Sequence, residues 1–278
     1  MNSYAYYNGK FGKRSEIRIP LSDRSLFFGD AIYDAAIGSY DRILWEDEHL
    51  DRFFKNAEAI GISHNFTKKQ ISELLHEVAV KSTLSCYFIY FQLSRSNPIR
   101  NHSANGCESN LLITVDPISI KKHPKPLKLI TAEDLRYGYC NIKSVNLLPA
   151  VLTITEAEKA GCDEAVLIKN NIVTECTKSN ISIIKQGRLV TSPKSNKILP
   201  GITREHLLKI CKKIGVISEE REFTREELFL ADEVIISSTT KLCNAVSHID
   251  GVRVGKTYSI AKKIHSIMYK EFTDFCIL

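Results

Sequence analysis

Lys143 is the residue of this sequence whose neighbours most favour nucleophilic chemistry. It stands near the head of the apolar stretch Asn141-Ile-Lys-Ser-Val-Asn-Leu-Leu148. A lysine becomes a nucleophile only after its ammonium group loses a proton, and apolar surroundings favour that loss because they disfavour charge. The alternative is a lysine at the end of a strand, with its ammonium group in water. The stretch alone does not choose between these two interpretations.

Three later stretches carry groups that could bind a charged ligand. Glu175 ends an alternating strand pattern, where its carboxylate could hold a cationic ring nitrogen or lie in an exposed loop. Leu199-Pro-Gly-Ile-Thr203 opens a helical pattern. The free N–H groups of a helix start bind phosphate well, although an ordinary threonine N-cap is the alternative. Ser237-Ser-Thr-Thr240 follows a strand pattern, so its hydroxyls could bind an anion or form a polar loop.

Arginines in two further stretches could bind acidic groups. Arg52 falls off the apolar stripe of its predicted helix, so the periodicity places it on a solvated face or at the edge of a site. Arg100 and His102 are two residues apart. In an extended loop both could therefore face one carboxylate, whereas a solvated loop is the alternative.

Helical and strand patterns alternate along the chain and must position these residues. Amphipathic stripes predict helices over residues 49–60, 68–80, 150–161 and 203–214. Between them lie short β-rich runs whose turn dipeptides predict hairpins at Asn8-Gly9, Asn170-Asn171, Gln186-Gly187 and Asp250-Gly251. The last of these turns precedes Gly255-Lys256, but Asp250 stands where a P-loop requires its first glycine. A hairpin, and not a nucleotide-binding loop, is therefore predicted there.

Composition excludes several classes of function. The net charge of +6 is spread along the chain without a basic stripe, so nucleic acid is not an expected partner. The longest apolar runs are only strand-sized, so no membrane span is expected. The eight cysteines include no Cys-x-x-Cys pair and the histidines no His-x-x-x-His pair, so we expect no metal site. With no apolar signal core at the N-terminus, a cytoplasmic location is expected.

The order and spacing of six stretches resemble the class IV aminotransferases, the fold-type IV family of pyridoxal-phosphate enzymes. The stretches are "DRSLFFGDAIYD", "HLDR", "NIKSVNLL", "EAVLIKNNIVTECTKSNI", "LPGITR" and "ISSTT". The resemblance covers essentially the whole chain. Within the family it is nearest to the D-amino acid aminotransferases, because of the Arg100-x-His102 pair and the stretch "IKSVNLLPAVL".

The resemblance implies an α+β fold with pyridoxal 5'-phosphate in a cleft between two domains. These would be a small N-terminal α/β domain over 1–116, a linker over 117–126 that carries three prolines, and a larger pseudo-barrel domain over 127–278. The implied reaction is transamination of D-alanine and related D-amino acids with 2-oxoglutarate, giving a 2-oxo acid and D-glutamate. Branched-chain L-amino acid transamination and aminodeoxychorismate cleavage are alternatives in the family, and a non-catalytic pyridoxal-phosphate-binding protein is one outside it.

The resemblance also implies a role for each candidate residue. Lys143 would form the Schiff base with the cofactor and move the proton, and Glu175 would pair with the protonated ring nitrogen. The remaining cofactor contacts would be Arg52, Ile202, Thr203 and Thr239 at the phosphate and Leu199 against the ring. Substrate would be bound by Tyr33 and Thr240 together with Arg100 and His102, the last two completing the neighbouring site of a homodimer.

Departures from the family pattern leave the side-chain preference open. Lys178 stands where close relatives carry a small hydroxyl residue, and Asp34 replaces the glutamate that commonly follows the tyrosine. Ala35 and Ile37 lie where pocket residues differ between relatives.

Overall fold

The chain folds into two compact units, described here from a computed structural model over residues 3–255 and 257–277. The first unit comprises Met1–Ser119, Ile142–Asn146 and Thr273–Leu278, and the second comprises Ile120–Asn141 and Leu147–Phe272. The chain first passes between them at Ser119–Ile120, inside the segment that the prolines mark as a linker. The short segment around Lys143 returns to the first unit, which no pattern in the sequence indicated.

The first unit is an antiparallel sheet of six strands with two helices packed on it. In chain order its elements are β1 Tyr4–Tyr7, β2 Lys10–Lys13, α1 Ser25–Phe28, β3 Ala31–Ser39, β4 Arg42–Ile43, α2 Glu46–Ala59, α3 Lys68–Ser82, β5 Tyr87–Ser96 and β6 Glu108–Pro117. The strand order is β2-β1-β6-β5-β3-β4. Its core includes the buried side chains of Phe53, Leu75 and Phe91, so the apolar stripes of both helices face the sheet as predicted.

Two helices of the first unit, α2 and α3, begin at residues that bind or stabilise the free N–H groups of the first helical turn. Thr67 and Gln70 form a capping box at the start of α3, each side chain accepting from the other's backbone N–H. The first turn of α2 carries Glu46, Asp47 and Glu48, whose charges stabilise the positive end of the helix dipole. Both helices thus confirm the predicted ones, with α2 starting three residues earlier than its apolar stripe.

The second unit contains a mixed sheet of nine strands and four helices among the described residues. Its elements are β7 Leu127–Glu133, α4 Leu148–Lys159, β8 Glu164–Lys169, β9 Ile172–Cys176, β10 Asn180–Lys185, β11 Arg188–Thr191, α5 Ile202–Lys213, β12 Ser218–Glu220, α6 Arg225–Phe229, β13 Glu233–Ser238, β14 Leu242–Ile249, β15 Val252–Arg253 and α7 Ser259–Ile277. The strand order is β12-β11-β10-β13-β14-β7-β8-β9, with β15 beside β14. The predicted α+β fold is confirmed.

Tight turns set the register of the hairpins. Both residues of each predicted turn dipeptide have positive φ, for example 50° and 65° at Asn170 and Asn171, and 51° and 75° at Asp250 and Gly251. Two-residue hairpin turns need this backbone because its twist matches that of the strands. The turn at 250–251 joins β14 to β15, which confirms a hairpin where the P-loop was excluded. Among the described residues, no helix combines the length and apolarity required to span a membrane.

Candidate functional site

The segment that carries Lys143 lies along the edge of β3 in the first unit. Tyr33 N–H donates to Lys143 O at 2.8 Å, and Val145 N–H donates to Ala31 O at 3.2 Å, which makes a single antiparallel bridge. This edge accepts the segment because β4 pairs only with the far end of β3, at Gly38 and Ser39. Lys143 is therefore not at the end of a strand, as the sequence suggested, but in a short irregular segment fixed by β3.

Alternation along β3 presents two different sets of side chains. Tyr33, Ala35 and Ile37 share one face of the strand, and Asp34 points to the other, towards α2. The Lys143 ammonium lies 4.3 Å from the centre of the Tyr33 ring, whose electron-rich face attracts a cation. Tyr33 also stacks on Tyr90, with ring centres 5.1 Å apart. The predicted substrate residue and the predicted nucleophile are thus in direct contact.

Asp34 joins two residues of α2, Arg52 and His49. Its carboxylate accepts two hydrogen bonds from Arg52, from Nε and from Nη2, each 2.7 Å long, and it lies 2.8 Å from His49 Nδ1. The Arg52 side chain is only 10% exposed, so the interpretation as a solvated face is wrong. The helical periodicity gave the wrong environment for Arg52 because a helical pattern carries no information about its partner, the Asp34 carboxylate on β3.

Burial and ion pairing act in opposite directions on Asp34. Complete burial raises the pKa of its carboxyl, but Arg52 and His49 outweigh this effect and hold that pKa well below its usual range. For His49, burial lowers the pKa of the imidazole against the opposing effect of Asp34, and the Arg52 and Lys143 cations lower it further. The group is therefore an ionised carboxylate between a guanidinium and a neutral imidazole, close to Lys143.

Arg100 and His102 lie in an exposed loop of the first unit and meet at one aromatic ring. The Arg100 guanidinium is 4.8 Å from the centre of the Phe28 ring, and the His102 ring centre is 5.1 Å from it. Both side chains therefore contact one ring, although both residues are exposed. An arginine and a histidine that lie close together can bind a carboxylate.

Glu175 lies in the second unit, where its carboxylate is almost completely buried at the end of β9. Asn180 Nδ2 donates to its Oε2 at 2.9 Å, and Leu199 N–H donates to the carboxylate at 3.1 Å. Asn180 Nδ2 also donates to Leu199 O, so a single amide joins both predicted cofactor contacts. The alternative of an exposed loop acid is therefore wrong for Glu175.

Two residues after β7 complete the surroundings of Glu175 and were not anticipated from the sequence. Arg136 pairs with both Glu175 and Asp134, and its Nη2 reaches Asp134 Oδ2 at 2.7 Å. Burial raises the pKa of Glu175 to about 7, and Arg136 opposes that rise. A signal existed in the sequence, since Asp134 and Arg136 are charged residues directly after a strand, but nothing in their spacing links them to Glu175.

The start of α5 lies next to Asn180. Gly201 is the N-cap, so the first N–H groups of the helix, at Ile202 and Thr203, follow a residue without a side chain. A Cβ at Gly201 would lie 2.0 Å from Asn180 Oδ1, which shows how closely the helix start approaches that amide. Asn180 also pairs with Ser237 across β10 and β13, immediately before the turn that contains Thr239 and Thr240.

Lys178 has an exposed side chain, and its backbone belongs to a turn held by a buried acid. Glu164 Oε1 accepts from Lys178 N–H at 2.9 Å and from Ser179 Oγ at 2.6 Å, and its other oxygen pairs with Lys241 Nζ at 3.1 Å. The turn between Glu175 and Asn180 is therefore fixed through its backbone. The departure at position 178 does not alter these contacts.

The chemistry of these groups matches a cofactor that has an aldehyde, a ring nitrogen and a phosphate. Within the first unit a primary amine lies beside a phenol, and an arginine is held by Asp34. Within the second unit are a buried carboxylate, a helix start and threonine hydroxyls. An amine can condense with an aldehyde, and a buried carboxylate stabilises a protonated ring nitrogen. Helix-start N–H groups and an arginine bind phosphate.

Comparison with known proteins identifies the family to which the chain is similar. The sequence profile described as "Amino-transferase class IV" matches residues 32–249. A D-alanine aminotransferase of Bacillus licheniformis is 37% identical over 254 residues, which cover 90% of this chain and 89% of that protein. The branched-chain aminotransferase of Thermoproteus uzoniensis, solved with norvaline, superimposes with a TM-score of 0.89 at 22% identity, covering 98% of this chain and 97% of that one. A branched-chain aminotransferase from T.th., solved with N-(5'-phosphopyridoxyl)-L-glutamate, gives the same TM-score of 0.89 at 22% identity, covering 98% of this chain and 94% of that one.

Proposed function

The chain belongs to the class IV aminotransferases, and from that membership we propose that it transaminates D-amino acids, with D-alanine as the leading donor. The acceptor would be 2-oxoglutarate, so that the products are a 2-oxo acid and D-glutamate. The observation that supports the D-specificity is the Arg100–His102 pair, whose two side chains both contact the Phe28 ring and would together bind a carboxylate. The similarity to D-alanine aminotransferases over nine-tenths of the chain supports the same substrate class.

Pyridoxal 5'-phosphate is the cofactor of this family, and when bound it supplies an electron sink for charge that develops at the substrate Cα. In our proposal Lys143 Nζ holds the aldehyde carbon and moves the proton at the substrate Cα. Glu175 keeps the ring nitrogen protonated, with Arg136 and Asn180 orienting its carboxylate. Leu199 lies against the ring.

The phosphate would be bound by groups from two helices and one turn. These are the Arg52 guanidinium, the start of α5 at Ile202 and Thr203, and the hydroxyl of Thr239. A dianion is favoured at a helix start, and there the first N–H groups have no partner within the helix. Asp34 holds one edge of Arg52, which fixes the orientation of the guanidinium.

The substrate would be bound by Tyr33 and Thr240 on one side and by Arg100 and His102 on its carboxylate. The contact between the Tyr33 ring and Lys143 places the phenol beside the amine that moves the proton. Ala35 and Ile37, on the same face of β3 as Tyr33, are small or apolar and suit a short side chain such as that of alanine.

A donor panel tests the proposal directly. The purified holoenzyme is incubated with D- or L-amino acids and 2-oxoglutarate, and each 2-oxo product is measured. We expect pyruvate from D-alanine and little product from L-alanine. Formation of 4-methyl-2-oxopentanoate from L-leucine, with none from D-leucine, would instead indicate a branched-chain enzyme, and pyruvate with aminobenzoate from aminodeoxychorismate would indicate the lyase.

The role of Lys143 has its own test, which also addresses a non-catalytic cofactor carrier. Lys143→Ala should abolish turnover and the absorbance of the covalently held cofactor. Lys159→Ala, which removes an exposed lysine on α4, is the control and should keep both. Turnover by Lys143→Ala would contradict the assignment, and a wild-type protein that binds the cofactor without reacting with any amino acid would favour the carrier.

We also propose that the protein is a cytoplasmic homodimer in which Arg100 and His102 act in the neighbouring site. Large apolar side chains close to their loop are exposed in a single chain: Leu21 at 79%, Ile99 at 74% and Phe27 at 50%. Exposed apolar side chains grouped in this way favour contact with another protein surface. Free thiols in the described part of the chain, which fit a reducing compartment, include those of Cys107, Cys140, Cys162, Cys176, Cys211 and Cys243.

A further inference from the structure

The Phe28 ring is a meeting point for three side chains in the first unit. Besides Arg100 and His102, the Arg24 guanidinium lies 4.6 Å from the centre of the ring. Arg24 and Phe28 are one helical turn apart, and Phe28 N–H donates to Arg24 O at 2.9 Å. The ring and this guanidinium are therefore fixed to each other by α1 before the loop is considered.

The Arg24 guanidinium also binds the backbone of the loop itself. It donates to the carbonyl oxygens of Asn101, His102 and Ser103, with 3.1 Å to His102 O and 3.3 Å to Ser103 O. The Arg24 side chain is only 5% exposed, in contrast to the exposed loop that it binds. The buried Arg24 guanidinium thus supplies the backbone hydrogen bonds that a helix or sheet would otherwise give to the residues around the proposed carboxylate trap.

Arg24 is held in place from the side opposite the loop. Its Nε donates to Asp30 Oδ2 at 2.7 Å, and the other oxygen of Asp30 pairs with Arg95 on β5. Arg24 N–H donates to Arg95 O at 2.8 Å. The preceding residue, Asp23, is buried and accepts from Tyr7, Ser94 and Asn110. The guanidinium is therefore rigidly connected to the sheet.

We propose that Arg24 and Phe28 form a platform that sets the orientation of Arg100 and His102, and thereby the affinity for the substrate carboxylate. This inference rests on the proposed function, in which those two residues bind that carboxylate. Arg24 is a positioning residue, since its nitrogens are directed to backbone carbonyls and to Asp30. The Phe28 ring contacts both the Arg100 guanidinium and the His102 imidazole.

The variant Arg24→Lys tests whether the positive charge of Arg24 is sufficient or whether the shape of its guanidinium is required. Lysine keeps the positive charge but lacks the planar fork that binds several carbonyls at once and stacks on a ring. Arg14→Lys is the matched control, because Arg14 is an exposed, ion-paired arginine of the same unit. Phe28→Leu is a second variant that leaves the buried ion pair intact and removes only the aromatic face.

Three measurements on each holoenzyme define the test. They are kcat and KM for D-alanine, the Kd of propionate from the change in cofactor absorbance, and the rate of reaction with hydroxylamine, which has no carboxylate. For Arg24→Lys we expect KM and the propionate Kd to rise together by about tenfold, while kcat changes by less than about threefold. Phe28→Leu should raise both by about threefold. The hydroxylamine rate should stay at the wild-type value in all variants.

The proposal is overturned if the propionate Kd of Arg24→Lys matches that of wild type or of Arg14→Lys. It is also overturned if the hydroxylamine rate falls in parallel, since that would indicate general damage to the site. Failure of the proposed function gives a different result. Wild type would then not turn over D-alanine, while the propionate measurement would still compare the variants.

Discussion

At the scale of single residues, the proposed pairing of Glu175 with a ring nitrogen requires a negative charge, and the burial of Glu175 works against that charge. Its pKa of about 7 results from burial opposed by Arg136, so ionisation near neutral pH depends on that guanidinium. A protonated Glu175 cannot pair with a protonated ring nitrogen. Because the charged form is required, binding should weaken as the pH falls through the pKa.

We therefore predict that the affinity of the apo-protein for pyridoxal phosphate falls below about pH 7 and that Arg136→Gln moves this decline to higher pH. Without the guanidinium, burial is unopposed and the pKa of Glu175 rises further. Cofactor Kd values across the neutral pH range, obtained by fluorescence titration, check this. Glu175→Gln, which cannot titrate, is the control and should lack the decline; identical profiles for Arg136→Gln and wild type would contradict the prediction.

Asp34 makes a second prediction at this scale, which concerns stability. Asp34→Asn leaves the buried Arg52 without its counter-charge, so the free energy of unfolding should fall by about 3 kcal/mol. The depressed pKa of Asp34 stabilises the fold above the ordinary carboxyl pKa, and this contribution is lost as the pH falls towards the depressed value. Urea unfolding of the apo-protein measures both effects. Asp34→Glu, which keeps the charge, should lose less stability, and an equal loss in the two variants would refute the ion-pair explanation.

At the scale of elements, the site depends on how closely α5 approaches β10. Gly201 has φ −69° and ψ 131°, which alanine adopts without strain, so a substitution there acts through space alone. The added Cβ would displace Asn180, and Asn180 holds both Glu175 and Leu199.

Gly201→Ala should therefore weaken binding of pyridoxal phosphate by about tenfold, with the helical content unchanged. Gly138→Ala is the matched control, because its added Cβ meets nothing within 4 Å, and its affinity should stay within about twofold of wild type. Titration of the two apo-variants, with circular dichroism for helicity, makes the comparison. Wild-type affinity in Gly201→Ala would show that the contact is unimportant.

The elements were largely predictable from the sequence because their causes are local. Apolar stripes gave four of the helices to within three residues, for example 68–80 against the observed Lys68–Ser82, but they did not give the 19-residue helix α7. Dipeptides that tolerate positive φ gave the hairpin turns, and the resemblance to the family assembled the candidate residues. Contacts between distant charges were not predictable: Arg136 and Glu175 are 39 residues apart, and no periodicity connects them. The sequence predicts a strand end at Lys143 because the pairing of its segment with β3 also joins residues that are far apart in the chain.

At the scale of the whole molecule, the proposed dimer predicts that two defective subunits can restore one site. Lys143→Ala should be inactive alone, and Arg100→Gln should have little activity alone. If Arg100 acts in the neighbouring site, a mixed dimer holds one site with both wild-type residues. Random exchange of equal amounts should then recover about a quarter of wild-type activity, since about half of the dimers are mixed.

The measurement is activity after the two variants are mixed under conditions that exchange subunits. A mixture of Lys143→Ala with Lys143→Ala,Arg100→Gln is the control and should remain inactive. Recovery no greater than the sum of the separate variants, with exchange demonstrated by tagged subunits, would show that Arg100 acts within its own chain.

The return of Ile142–Asn146 to the first unit bears on how this protein can be recombined with its relatives. A chimaera with one crossover near Ser119 would take β3 from one parent and the Lys143 segment from the other. The backbone bonds at Ala31 and Tyr33 would then join residues of different origin, beside the amine that we propose as the catalytic group. An exchange of substrate preference between relatives must therefore transfer this five-residue segment together with the N-terminal part, although more than twenty residues of the second unit separate them in sequence.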